Sequence, residues 1–191
     1  MSGWLTNGMN QLSSFTGNEQ LPLDTTLLQG IVPQNGMSDI VTLATAFKRL
    51  NQTGSGTMVA GSRYYTGITF GFSTLVTGLE VLVGGTGGSD LWILELHDST
   101  GALVATTTIS GTTAGTANTF QRIALTTPYT AAAGQYYIAL QSNGTTATRG
   151  TYNSAGLPLL VGSATGTFAT GAAITPPTTY TASIGPMVSI Y

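Results

Sequence analysis

The pattern that most constrains the fold is a series of short apolar, β-branched segments that begins near residue 58. Each segment ends at a cluster of Gly, Thr or Ser, and no helical stretch alternates with the segments. This pattern is typical of antiparallel strands joined by tight turns. The predicted strands are 68–72, 79–84, 91–98, 102–109, 119–126, 135–142 and 186–191, with one or two more within 157–183. The spacing predicts an all-β fold, an antiparallel β-sandwich of jelly-roll type over residues 58–191.

The chain before residue 58 has a different pattern. Residues 1–37 show no sustained period and contain several Asn-Gly and Gly-Asn turn pairs, which predicts an extended N-terminal arm. In residues 38–50, apolar side chains recur at helical spacing behind Ser38, a suitable N-cap, although the IVT stretch also suits a strand. Residues 51–57 (NQTGSGT) are predicted to be a linker. The domain prediction is therefore an arm (1–37), a short helix with its linker (38–57) and a sandwich domain (58–191).

The chain is poor in charge. Only 6% of its residues are charged, and five Lys and Arg against seven Asp and Glu give a net charge of −2. An average globular domain carries roughly 25% charged residues. Without a basic patch, nucleic-acid binding has no electrostatic support. A surface of hydroxyls and amides suits lasting contact with other subunits, since few charges must be desolvated, and this favours an assembly component.

Several further classes lack their sequence signatures. Cysteine is absent, which excludes disulfides, thiol catalysis and Cys-based zinc sites. The first residues, MSGWLTNGMNQLSS, have neither the basic start nor the apolar run of a secretory signal. No stretch approaches the roughly 18 apolar residues of a membrane span. We therefore expect synthesis in the cytosol and no membrane partner.

The only histidine stands in a suggestive tripeptide, His97-Asp98-Ser99. In a strand over 91–98, His97 and Asp98 point to opposite faces, so they cannot pair as a catalytic base and its orienting acid. Residues 98–101 (DSTG) are instead typical of a hairpin turn, with Asp first and Gly last. We expect a turn here, and a surface or interface position for His97 at which it is dispensable.

The other candidates for chemistry are equally weak. Glu80 and Glu95 could approach each other as a carboxylate pair, but no further acids shape a sugar cleft. Residues 84–90 (GGTGGSD) precede a strand and not a helix, so they do not form a phosphate loop. The aspartates are too scattered for calcium, and no clear aromatic platform supports glycan binding, although a glycan stays possible. The sequence predicts no catalytic, cofactor-binding or metal-binding residue, and no enzyme.

One strand carries a second apolar face. In a strand over 91–98, Leu91 and Ile93 point away from Trp92, Leu94 and Leu96. If the monomer leaves that face uncovered, a subunit contact must cover it. The sequence therefore predicts Leu91 and Ile93 as subunit-interface residues.

Two stretches resemble proteins of tailed bacteriophage particles. TGNEQLPLDTTLLQGIVPQNG (16–36) is similar to a short N-terminal element of several phage structural proteins. WILELHDSTGALVATTTI…GTANTFQRIALTTPYTAAAGQYYIAL (92–140) resembles β-sandwich domains of head-decoration, fibre and tail proteins, some of them related to carbohydrate-binding modules. The resemblance implies a virion structural protein with no catalytic residues. The expected function is a capsid decoration (cement) protein, a homotrimer on the head exterior. The alternative is a receptor- or glycan-binding module of a tail or head fibre.

The arm is the predicted capsid-binding element. Its segment LPLDTTLLQGIVP (21–33) has many large apolar side chains, no period and three breakers (Pro22, Gly30 and Pro33), so it cannot bury them in its own structure. Such a segment can order along a partner, here the major capsid protein. The predicted capsid-binding residues are Leu21, Leu23, Asp24, Leu27, Leu28, Ile31 and Val32.

Overall fold

The computed structural model describes residues 52–152, 160–178 and 184–191, and these residues form strands, turns and loops without a helix. The described strands, in chain order, are β1 (Gln52–Thr57), β2 (Arg63–Phe70), β3 (Thr74–Leu82), β4 (Leu91–His97), β5 (Leu103–Thr106), β6 (Thr112–Thr113), β7 (Phe120–Ala131), β8 (Gly134–Ser142), β9 (Thr148–Tyr152), β10 (Val161–Ala164) and β11 (Val188–Ile190). The all-β class predicted from the sequence is confirmed for this part of the chain.

The strands form antiparallel sheets. The largest has the order β10-β2-β8-β4-β5, with the short β6 also paired to β4. A second sheet has the order β11-β3-β7, and β1 pairs with β9 in a two-stranded ladder. Two isolated bridges, Val83 to Arg149 and Thr151 to Pro186, join β9 to the chain next to β3 and β11. The β1–β9 ladder therefore continues the side of the molecule formed by the three-stranded sheet.

The core lies between the six-stranded and the three-stranded sheets. Alternate residues of β4, Trp92, Leu94 and Leu96, are fully buried in one hydrophobic cluster. The same cluster contains side chains from β3, β7 and β8, among them Leu79, Ile123, Leu125, Ile138 and Leu140. The period-2 alternation of apolar residues in the sequence is thus the physical basis of the core, because it places one face of each strand against the opposite sheet.

Each of the seven strands predicted with its own bounds overlaps a described strand, whereas β1, β6 and β9 were missed. Residues 52–57 were placed in a linker but form β1, and residues 148–152 were outside every predicted strand but form β9. Both strands are rich in Gly and Thr and lack apolar alternation, so only their mutual pairing identifies them. The predicted arm (1–37) and helix (38–50) lie outside the described residues.

The outer face of the six-stranded sheet is covered by residues 165–176, here called the strap. Ile174 of the strap is buried in a cluster with Tyr65, Tyr137 and Ala139. The amide of Ile174 donates to the carbonyl of Gly101 (2.9 Å), and the Tyr65 hydroxyl donates to the carbonyl of Thr175 (2.9 Å). The strap has no regular secondary structure, so side-chain contacts and these hydrogen bonds hold it to the sheet.

The burial of Ile93 within one chain removes the reason for which Leu91 and Ile93 were predicted as interface residues. Ile93 is only 2% exposed within the single chain, and Leu91 is half-buried and lies with strap residue Phe168 beside Gly111. The face that was expected to need a second subunit is therefore already covered by the same chain. The premise of a subunit interface at these two residues does not hold.

Candidate functional site

A buried charged cluster lies beneath the strap, on the outer face of β2 and β4. The Nε of Arg63 donates to Oε2 of Glu95 at 2.8 Å, and Nε2 of His97 lies 3.3 Å from the same oxygen. The Nδ1 of His97 lies 3.1 Å from the carbonyl oxygen of Gly101. All three side chains are at most 2% exposed. The register explains the cluster, since Glu95 and His97 share one face of β4 and Arg63 lies two strands away across β8.

The burial of His97 contradicts the surface position predicted for it. Its two ring nitrogens face a carboxylate and a carbonyl, and both of these groups only accept hydrogen bonds. His97 is therefore a structural residue that links Glu95 to the β4–β5 turn, with no exposure through which a substrate could reach it.

The turn predicted after His97 is confirmed. Oδ1 of Asp98 accepts hydrogen bonds from the amide of Thr100 (2.9 Å), the hydroxyl of Thr100 (2.7 Å) and the amide of Ala102 (3.1 Å). Gly101 has a φ of 87°, the left-handed region that glycine adopts without a steric penalty. The Thr100 hydroxyl, together with the backbone amides, holds the pKa of the Asp98 carboxyl below its usual range. His97, Asp98 and Ser99 do not form a triad, because His97 contacts Glu95 and Gly101 instead.

Buried polar side chains also hold the loops. The side-chain amide of Gln141 donates to the carbonyls of Gly61 (3.0 Å) and Thr167 (2.9 Å) and accepts from the amide of Ala169 (3.1 Å), which fixes the strap to β8. Oδ2 of Asp90 accepts from the amides of Thr146 and Ala147, both at 2.8 Å. The side-chain polar atoms of Gln141 and Asp90 are thus bonded to backbone groups of the loops.

The carboxylate pair considered from the sequence is not formed. Glu80 lies on β3, where it accepts hydrogen bonds from Arg122 (3.1 Å) and from the hydroxyl of Ser189. Glu95 lies on β4 in the other sheet, beneath the strap. Two carboxylates on different sheets, each bonded to its own arginine, cannot act on one glycosidic bond.

Three amides at the start of the glycine-rich stretch 84–90 are bonded within the protein. The amide of Gly84 donates to the carbonyl of Thr148, that of Gly85 to the hydroxyl of Ser55 and that of Thr86 to the hydroxyl of Thr148. A phosphate-binding loop needs such amides free to point at an anion. The structural interpretation of this stretch is therefore supported.

Tyr65, Tyr136 and Tyr137, aromatic side chains of the kind that could stack on a glycan, are packed inside the protein. Tyr65 and Tyr137 are buried with their ring centroids 6.4 Å apart, and Tyr136 packs edge-on against Phe70 at 5.1 Å. Burial raises the pKa of both the Tyr65 and the Tyr137 hydroxyl, and in Tyr65 the neighbouring Tyr137 adds to the effect. These packed rings do not form an exposed platform.

Tyr64 has a different partner, the buried side chain of Arg149. The guanidinium carbon lies 3.6 Å from the centroid of the Tyr64 ring, a cation–π contact. Arg149 donates to the carbonyl of Ile184 at 2.8 Å and to the carbonyl of Thr57, and no carboxylate is among the partners seen in the described residues. Burial lowers the pKa of Arg149 to about 10. Arg149 thus joins β9 to β1 and to the segment before β11.

One accessible groove lies between the ends of the two main sheets. It has a volume of about 350 Å³ and is lined by Leu103, Val104, Ala105, Thr106, Thr126, Thr127, Pro128 and Tyr129. We call it the β5–β7 groove. Its lining contains no charged residue and combines apolar side chains with threonines. The sequence did not indicate this groove, because its two sides come from separate strands that only the packing of the sheets brings together.

The described residues supply no group of three or more His, Cys, Asp or Glu side chains arranged to hold a metal ion. They also contain no helix of the length and apolarity that a membrane span requires.

The predicted capsid-binding residues, from Leu21 to Val32, lie outside the described residues. Comparison of the chain with protein-family models, with curated proteins and with solved structures found no match.

Proposed function

We propose that this protein is a structural component of a tailed-bacteriophage virion. In this proposal it is a capsid decoration (cement) protein, made in the host cytoplasm and carried on the head surface as a homotrimer. Its N-terminal arm binds the major capsid protein, and this binding stabilises the shell. We also propose that the two main sheets form a jelly-roll-like β-sandwich, since they share one hydrophobic core.

The observation that carries the proposal is the use of polar groups in the described domain. Arg63 and His97 both bond to Glu95 beneath the strap, and Asp90 and Gln141 bond to loop backbone. A domain whose buried ionisable groups serve its own packing is typical of a scaffold and not of a catalyst. With 6% charged residues, its surface also suits contacts with other subunits.

The arm adds the second line of support. Leu21, Leu23, Leu27, Leu28, Ile31 and Val32 fall within thirteen residues, as the sequence shows directly. Their burial along a sheet edge or groove of a shell protein would offset the entropy lost on ordering the arm. Since few ion pairs are available, salt should weaken the binding only slightly. The trimer contact of this proposal uses a surface other than Ile93, which is buried within the single chain.

The test uses phage heads that were assembled without this protein. Wild-type protein and a chain lacking residues 1–37 are added separately, and bound copies per head are counted by quantitative mass spectrometry. Cement function predicts that only the wild type binds, at many copies per head, and that it raises the temperature at which heads release DNA.

A matched pair of variants separates side-chain binding from chain length. Leu27→Ser combined with Leu28→Ser should reduce head binding at least tenfold, whereas Thr25→Ser combined with Thr26→Ser should leave it unchanged. If neither the wild type nor any variant binds heads, and intact particles carry a few copies on the tail, the fibre alternative replaces the cement function.

A further inference from the structure

The β5–β7 groove lies where both main sheets end. Among the described strands, β5 pairs with β4 on one side and β7 pairs with β3 on one side, so each is the last strand of its sheet. Leu103, Val104, Ala105 and Tyr129 in the groove are half-buried, whereas Thr127 and Pro128 are exposed. The groove is therefore an apolar cleft that opens to solvent along two strand edges.

The shape of β7 decides what this groove can accept. Gly78 pairs with Ala124 and Val76 with Tyr129, so one residue of β3 lies opposite four residues of β7, 125–128. At this bulge the ladder between β3 and β7 is interrupted, and the hydroxyl of Thr126, a lining residue of the groove, donates to the carbonyl of Thr106 at 2.9 Å. Pro128 has no amide to donate to an added strand. An occupant would thus place side chains in the cleft and run its backbone along β5.

The groove limits the size and charge of its occupant. A volume of about 350 Å³ is at the small end of ligand pockets, so it accepts a few side chains and not a whole helix. The lining has no charge that would pair with a charged group. An extended, uncharged segment with closely spaced apolar residues fits these limits.

The N-terminal arm contains such a segment. Residues 25–33 (TTLLQGIVP) are uncharged and include Leu27, Leu28, Ile31 and Val32. The described domain begins at Gln52 of β1, which pairs with β9. Between residues 25–33 and Gln52 lie residues 34–51, and a chain of that length can span up to about 60 Å when it is fully extended. A domain of this size is roughly 40 Å across. The arm can therefore reach the groove of its own molecule.

We infer that in the free protein residues 25–33 of the arm dock in the β5–β7 groove of the same molecule. This inference goes beyond the proposed function, because it concerns the state of the arm before any shell is met. The docked arm keeps its apolar side chains out of water and covers the edges of β5 and β7. The same side chains cannot occupy the groove and a partner at once, so docking competes with partner binding.

The absence of cysteine from the chain permits a direct test by disulfide cross-linking. Leu28→Cys is combined with Val104→Cys in the groove or, as a control, with Ser163→Cys on the exposed opposite edge of the same sheet. Mild oxidation at low protein concentration should form the 28–104 bond at least ten times faster than the 28–163 bond, with the protein still monomeric on a non-reducing gel. Equal rates would overturn the inference, and covalent dimers in the 28–104 protein would assign the groove to the arm of a second copy.

A second variant checks the groove without engineered cysteines. Thr127→Arg puts a charge at the exposed mouth of the groove, and Thr170→Arg puts one on the exposed strap. Cleavage of the arm near Leu27 by thermolysin should be at least tenfold faster in Thr127→Arg than in the wild type, and unchanged in Thr170→Arg. Unchanged cleavage in Thr127→Arg would contradict arm docking. Neither measurement uses phage heads, so a failure of docking and a failure of the cement function are separate results.

Discussion

His97 shows how one buried contact changes the role expected of a side chain. From the strand period, His97 belongs to the face opposite Trp92, and that placement is correct. The structure adds Glu95 and Gly101 as partners and the strap as a cover, which leaves His97 with no exposed surface. At the residue scale, most buried polar side chains of the described residues bond to other groups of the protein, whereas Nη2 of Arg63 and Nε1 of Trp92 have no hydrogen-bond partner there.

Replacement of His97 by Ala should now be destabilising, contrary to the dispensable role predicted from the sequence. The change leaves a cavity beneath the strap and removes a partner of Glu95 and of the Gly101 carbonyl. We expect a loss of about 2–4 kcal/mol in the free energy of unfolding, measured by urea denaturation. Ser99→Ala, at an exposed turn position, should change it by less than about 0.5 kcal/mol. Equal stabilities for the two variants would return His97 to a surface role.

Asp98 should make the β4–β5 turn sensitive to acid. Because the pKa of Asp98 is lowered in the folded protein, its contribution is present above the unfolded value, near pH 4, and is lost as the pH falls through the folded value. Asp98→Ala should cost about 1 kcal/mol at neutral pH. Asp98→Asn keeps an acceptor for the amides and should show less change in stability between pH 4 and pH 2 than the wild type. Parallel pH profiles for wild type and Asp98→Asn would contradict this assignment.

At the scale of elements, the strap lies on the face of β4 that points away from the core between the two main sheets. It crosses the six-stranded sheet and is held by Gln141, by Tyr65 and by the Gly101 carbonyl. A segment about seventy to eighty positions later in the sequence thus packs on the face of β4 to which Ile93 belongs, through Gln141, the β8 partner of Ile93. The strap takes the place that the sequence assigned to a second subunit.

Ile93→Asp should therefore unfold the domain and not dissociate an oligomer. A carboxylate would be buried beneath the strap without a designed partner, at a cost of roughly 4 kcal/mol. Ile93→Val, which keeps the apolar contact, should cost about 1 kcal/mol. Circular dichroism during urea unfolding, with sedimentation at the same protein concentration, distinguishes the two outcomes. A stably folded, monomeric Ile93→Asp protein beside a multimeric wild type would restore the interface.

At the scale of the whole molecule, β1, which the sequence placed in a linker, connects several separate parts of the described fold. β1 pairs with β9, Ser55 accepts from the amide of Gly85, and the carbonyl of Thr57 accepts from the buried Arg149. The described fold therefore includes β1, and we expect the domain to begin before residue 58.

Two truncations should differ in stability. A chain that starts at residue 52 should unfold cooperatively, since it keeps β1 and every described strand. A chain that starts at residue 58 leaves the edge of β9 open and removes one acceptor of Arg149, so we expect its free energy of unfolding to be lower by about 2–3 kcal/mol. Thermal unfolding followed by circular dichroism measures both. Equal midpoints would show that β1 contributes no stability and that the boundary at 58 stands.

The sequence alone determined the all-β class, most strand positions, the inward face of β4 and the turn at Asp98, because strand period and turn chemistry are local properties. Contacts between distant segments decided the rest. β1 and β9 have no apolar pattern and form through each other, and the burial of His97 and Ile93 depends on residues 165–176. The β5–β7 groove exists only where two sheet edges meet. Local periodicity predicts which way a side chain points, but only the packed structure shows which residues cover it.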